Sequence, residues 1–129
     1  MPYVYSDVEN LDGTDKVGSK QCVALVQHYA RAPNTGTWKE GSAVFGKGGI
    51  PKGTAIATFV DGRYESHSTG NHAALFLSAD AGGIWVIDQW KSDTSKPKVS
   101  KRYLRKKGTA KDGSFLDPSN NADAYSVID

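Results

Sequence analysis

The chain has 129 residues, 38% of them hydrophobic and 23% charged, with a formal net charge of +2. That length fits one domain over residues 1–129 with a modest core and leaves no room for a second. No apolar run approaches the roughly 20 residues needed to span a bilayer, and a single cysteine excludes an intramolecular disulfide and a cysteine-based zinc cage.

Residues 1–18 read as an irregular lead-in in which Asp12-Gly13 marks a turn. The first seven residues have neither the basic nor the apolar region of a Sec-type signal, so cytoplasmic synthesis without that address is expected. Next comes Ser19-Lys20-Gln21-Cys22-Val23-Ala24-Leu25-Val26-Gln27-His28-Tyr29-Ala30, which reads as a helix with Ser19 as N-cap, Lys20 as its first residue and Pro33 as a stop. Cys22, Leu25, Val26 and Tyr29 then share a face. A sulfur in a first helical turn sits near unpaired N–H groups and the positive end of the dipole, which favours the thiolate. A lone cysteine is equally at home as a small buried hydrophobe, and position alone leaves both open.

After the helix, Trp38 can wall a cleft or fill core volume. Phe45 to Gly53 is too glycine-rich for regular structure and lacks the Gly-Lys-Ser/Thr ending of a phosphate loop, which excludes nucleotide binding. From Thr54 the periodicity turns to strands: Thr54–Phe59, Ala73–Leu77 and Ile84–Asp88, then the weaker Val99–Leu104 and Ala124–Ile128. Ser78 to Gly83 supplies turn chemistry for an antiparallel hairpin. A helix followed by an antiparallel sheet is an α+β order. Lys91 to Lys111 carries nine Lys or Arg residues against Asp93 alone. Its default reading is a solvated loop. An anionic wall polymer and an acidic protein are candidate partners, whereas nucleic acid is disfavoured by the scarcity of aromatic residues there.

A thiol nucleophile needs a base, and the base needs an orienting group on its other nitrogen. His28 lies six positions after Cys22, about 120° around the helix, and so faces solvent. His67 sits in a polar loop, whereas His72 begins an apolar strand that can present its ring rigidly, and is preferred. The hairpin register decides its partner. If paired residue numbers sum to an even value, Asp88 shares the face of His72; if odd, Gln89 does. Asp88 is the choice, because a carboxylate stabilises an imidazolium better than an amide does, with Gln89 in reserve. No metal or cofactor is expected: His67 and His72 can share an ion only on a helix, which Gly70 between them opposes.

Gln21-Cys22 opening a helix, Trp38-x-x-Gly41, His72 ahead of an Ala-Leu-Phe strand and Asp88-Gln89-Trp90 closing the next together resemble the CHAP and NlpC-type branch of papain-like cysteine peptidases. These cleave peptidoglycan stem peptides. Within that branch the chain looks most like the type VI secretion amidase effectors. The resemblance, which covers Ser19 to Trp90, implies an N-terminal catalytic helix on an antiparallel sheet. It makes Cys22 the nucleophile, His72 the general base and Asp88 the orienting residue. It also implies an antibacterial toxin acting in a target cell's periplasm, with a cognate immunity protein, no nucleic acid and no membrane partner. The Cys22 N–H is the expected oxyanion donor. Gln21 adds a side-chain donor or points to solvent. Trp38, Tyr64, Gln89 and Trp90 are candidate substrate contacts. The competing reading is a non-catalytic cell-wall or protein-binding module with a buried structural cysteine, and a third is a cysteine deamidase or acyltransferase.

Overall fold

The computed structural model describes residues 2–65, 70–91 and 94–129. One α-helix, α1 (Cys22–Ala30), packs on a sheet of six antiparallel strands. In chain order these are β1 (Glu40–Ala43), β2 (Ala55–Thr58), β3 (Ala73–Asp80), β4 (Gly83–Asp88), β5 (Ser100–Arg105) and β6 (Tyr125–Ile128), arranged β1-β6-β2-β3-β4-β5. This is the α+β architecture that the periodicity predicts.

Both faces of the sheet are covered. Ala55, Ala57, Ala73, Leu75 and Ile87 form one face with Leu25, Val26 and Ala30 of α1. Three of those five positions are alanine, and the helix packs chiefly against β3. Ile56, Ala74, Phe76, Ile84, Val86, Leu104 and Tyr125 form the other face, beneath Val44 and Ala122. The central strands thus read as continuous apolar runs, as expected of strands buried on both sides.

Several boundaries differ from those read in the sequence. Lys20 has φ 71°, a left-handed conformation that no helix can run through, so α1 begins at Cys22 with Gln21 as N-cap. Ser19 Oγ instead accepts the Gln21 N–H at 3.4 Å, forming a turn outside the helix. The last turn closes through the N–H of Arg31, also left-handed, onto the Val26 carbonyl, two residues short of Pro33.

β1 carries no apolar alternation and so escapes a pattern reading. It is an edge strand that exists because β6 offers it a partner: the Lys39 and Asp129 backbones exchange both hydrogen bonds. A Cβ on Gly41 would stand 3.0 Å from the Val127 carbonyl oxygen, so glycine permits that approach. The hairpin turn is only Ala81-Gly82, because Asp80 Oδ1 accepts the N–H groups of Gly82 and Gly83 and extends both strands. The basic stretch is not simply a solvated loop: six of its residues form β5, the opposite edge of the sheet, where charge discourages further strand pairing.

Candidate active site

The register of β3 and β4 changes midway. Near the turn the paired numbers sum to an odd value (Ala79 with Ile84), and beyond a bulge at Leu77 they sum to an even one (Leu75 with Ile87). The bulge therefore sets which residue meets the ring: His72 and Asp88 end in line with the Phe76 and Val86 row of one face, and Gln89 turns to the other. His72 Nε2 lies 2.8 Å from Asp88 Oδ2, and both residues are buried.

With Nε2 engaged, Nδ1 is the ring nitrogen left for the hydrogen bond between His72 and Cys22. Cys22 is half-buried and is the first residue of α1, so its own N–H has no intrahelical acceptor. Tyr64 adds a second contact to the sulfur, Oη to Sγ at 3.6 Å. Asn71 Nδ2 donates to that same hydroxyl at 3.1 Å, which leaves the phenolic proton to point at Sγ.

The electrostatics follow from these contacts. Burial pushes the Cys22 thiol up, but hydrogen bonds and charge from His72, with Tyr64 and the Ala73 N–H, outweigh it, so the thiol titrates below its ordinary value. Burial likewise pulls His72 down, and the hydrogen bonds and negative charges of Asp88 and Cys22 more than reverse this, raising it. A thiol shifted down beside an imidazole shifted up is the condition for a thiolate–imidazolium pair. For Tyr64, burial and the neighbouring Cys22 charge raise the hydroxyl well above its usual range, keeping it a neutral donor. Burial alone would raise Asp88, yet His72, Arg102 and Lys96 hold it well below the carboxylate range.

Not every expected contact lies in the cleft. Trp38 is interior, its indole N–H donating to the Pro33 carbonyl at 2.8 Å and its ring 4.9 Å from that of Tyr64. Gln89 is fully buried. Its Oε1 accepts the Val17 N–H at 3.0 Å, and its Nε2 donates to the Gln21 carbonyl at 2.7 Å. The polar groups of Gln89 are thus committed to backbone, whereas Trp38, though largely buried, lines a recess together with Tyr64. Gln21 is exposed next to the sulfur. Trp90 is half-buried, edge-on to the His72 ring at 5.9 Å. His28 is exposed, and His67 lies outside the described residues.

Two recesses open beside the residues that touch the sulfur: one of about 640 Å³ is lined by Trp38, Lys39, Arg63 and Tyr64, and one of about 280 Å³ by Asn71, His72, Trp90 and Arg102. No metal-binding cluster occurs among the described residues.

The partners of Asp88 beyond His72 are absent from a reading of local pattern. Arg102 Nε donates to Oδ2 at 2.9 Å, and Lys96 Nζ stands 2.8 Å from Oδ1. Arg102 left a signal: it shares the parity of buried Leu104 along β5, a charge aimed at a core. Lys96 left none, because it sits in an aperiodic loop.

The family model described as domesticated amidase effector 2 matches residues 3–128. The chain is 55% identical over 133 residues to the type VI secretion amidase effector 2 protein of Salmonella typhi, covering 100% of each. It is 40% identical over 121 residues to domesticated amidase effector 2 of Ixodes scapularis, covering 91% of this chain and 74% of that one. A solved structure of type 6 secretion amidase effector 2 superposes with a TM-score of 0.92 at 53% identity, covering 98% and 94% of the two chains. The papain-like arrangement of a helix against an antiparallel sheet is common to both structures.

Proposed function

The chain belongs to the domesticated amidase effector 2 family, and from that premise we propose that it is a cysteine amidase cleaving an amide bond in peptidoglycan stem peptides or their cross-links. The observation that carries this reading is the buried Asp88 Oδ2–His72 Nε2 pair, whose ring interacts in turn with the sulfur at the head of α1. Cys22 is the nucleophile, His72 the acid and base, and Asp88 the orienting group.

The Cys22 thiolate attacks the amide carbon, and the carbonyl π electrons move onto oxygen. The Cys22 N–H faces that oxyanion, and a donor so placed contributes about 10²- to 10³-fold in rate. The His72 imidazolium then delivers its Nδ1 proton to the amide nitrogen, the C–N bond breaks, and a thioester remains. A water deprotonated by His72 attacks the thioester, releasing the acid and restoring the thiol. The stem peptide spans the recesses on the Tyr64 and Trp90 sides of the sulfur. Delivery is by type VI secretion, as the name of the Salmonella typhi relative states for that protein; the proposed site of action is a neighbour's periplasm, with an immunity protein covering the cleft in the producer. No helix of the described residues is long and apolar enough to cross a membrane.

Purified protein incubated with peptidoglycan fragments should release new amines and carboxylates, and Cys22→Ala should lose more than about 10⁴-fold of that rate. Equal release by both proteins would overturn the proposal. A buried structural cysteine is disfavoured, because Cys22 is only half-buried and its sulfur meets the Tyr64 hydroxyl and interacts with His72.

A further inference from the structure

Lys96 is unlike the paired surface lysines of this chain. Lys52, Lys98 and Lys107 meet Glu9, Asp15 and Asp117 in solvent, whereas the Lys96 side chain is 7% exposed and its carboxylate partner, Asp88, is fully buried. The Lys96 ammonium meets Asp88 Oδ1 as an ion pair at 2.8 Å, donates hydrogen bonds to Ser100, Oγ at 2.5 Å and the carbonyl at 3.3 Å, and lies over the Trp90 ring at 4.8 Å. Arg102 reaches the same carboxylate from β5, bonds Asn120 Oδ1 at 2.7 Å and also lies over Trp90. An ammonium held out of water carries a large desolvation cost that an apolar side chain of similar size would avoid. Such a group calls for a reason other than stability.

The chemistry of His72 supplies one. A lone buried carboxylate against an imidazolium in low dielectric draws the shared proton toward itself and makes the ring too strong a base to release its other proton. Two cations on the carboxylate weaken that pull. Arg102 shares Oδ2 with His72, while Lys96 holds Oδ1, the oxygen the ring does not use. We propose that Lys96 is a positioning residue for the amidase reaction: it fixes the Asp88 carboxylate against His72 and offsets its charge, so that the imidazolium surrenders its Nδ1 proton to the leaving amine. This rests on Cys22, His72 and Asp88 being the reacting group, its base and its orienter. Other titratable groups whose fields reach this pocket are Cys22 on α1, Tyr64, and Tyr125 on β6.

Lys96→Met keeps the length and apolar packing while removing the charge. The pH profile of kcat/KM on peptidoglycan fragments should show its alkaline limb, where His72 loses its proton, moved up by about one unit. At the optimum kcat should fall about tenfold with KM unchanged, as expected when proton delivery rather than binding is impaired. Lys98→Met, a charge-matched surface control, should change neither. A folded Lys96→Met protein with the wild-type limb and kcat would overturn the proposal, as would a loss of rate that follows thermal stability with no movement of the limb. Should Lys96→Met not fold, Lys96→Gln, which retains a donor for Ser100, is measured in the same way, and either of those two results overturns the proposal again. Iodoacetamide labelling separates the premises. A wild-type Cys22 that labels with an ordinary thiol inflection near about 8.5 removes the catalytic reading itself. A depressed inflection together with an unmoved limb in the variants removes only the role of Lys96.

Discussion

Asp88 and Gln89 are neighbours in sequence at the end of β4, both fully buried, and they serve opposite faces of the sheet. Asp88 turns toward the second core layer and gathers three cationic or protonatable partners, His72, Arg102 and Lys96. Gln89 turns toward α1 and bonds only backbone, tying Val17 and Gln21 to the sheet. On the proposed reading, Asp88 sets the protonation of the site and Gln89 sets where the cysteine stands. A buried acid and a buried amide one residue apart thus answer two different needs, charge and placement, and substitutions should separate them.

Replacing the charge should have the largest effect. Asp88→Asn is expected to lower kcat by about 10³- to 10⁴-fold, as when a triad carboxylate becomes an amide. It should also move the inflection of Cys22 alkylation up, measured with iodoacetamide across pH. Gln89→Ala leaves three backbone groups without their partner and should cost about 2–3 kcal/mol in denaturant unfolding, with the alkylation inflection unmoved. A shifted inflection in Gln89→Ala would break the division between the two faces.

The pH dependence of stability sharpens it further. Asp88 titrates below its unfolded value, so its contribution is complete above about 3.9 and is lost as pH falls through the folded value. The deficit of Asp88→Asn relative to wild type, read as the urea midpoint, should therefore shrink on acidification below about 3.9, while that of Gln89→Ala stays constant. His72 has the opposite sign. Its raised value means that its contribution is complete below about 6.5 and lost as pH rises through the folded value.

The smallest effect should come from the far side of the sulfur. Tyr64→Phe removes the hydroxyl donor to Sγ but leaves the His72 bond, so kcat/KM should fall by less than about tenfold, the worth of one hydrogen bond. The alkylation inflection should rise slightly. A loss comparable to that of Asp88→Asn would place Tyr64 on the same footing as the carboxylate.

The sequence by itself determined the class of fold and singled out Cys22, His72 and Asp88, the side chains that the proposed reaction uses. Short continuous apolar runs in residues 55–59, 73–77 and 84–88 specify strands because a pleated chain buried on both sides presents successive residues to alternate core layers. A cysteine where a helix begins and a histidine where an apolar strand begins are local features, visible without any partner. Tertiary structure decided the rest. The bulge at Leu77, unmarked by glycine or proline, chose Asp88 over Gln89 for the ring. The left-handed Lys20 moved the start of the helix onto Cys22 itself. β1 needed the β6 edge to exist, and Lys96, from an aperiodic loop, became part of the site only because β5 brings its neighbour Ser100 opposite Asp88. Patterns of hydrophobicity report which side chains leave water; they carry no record of which buried charge another buried charge will require.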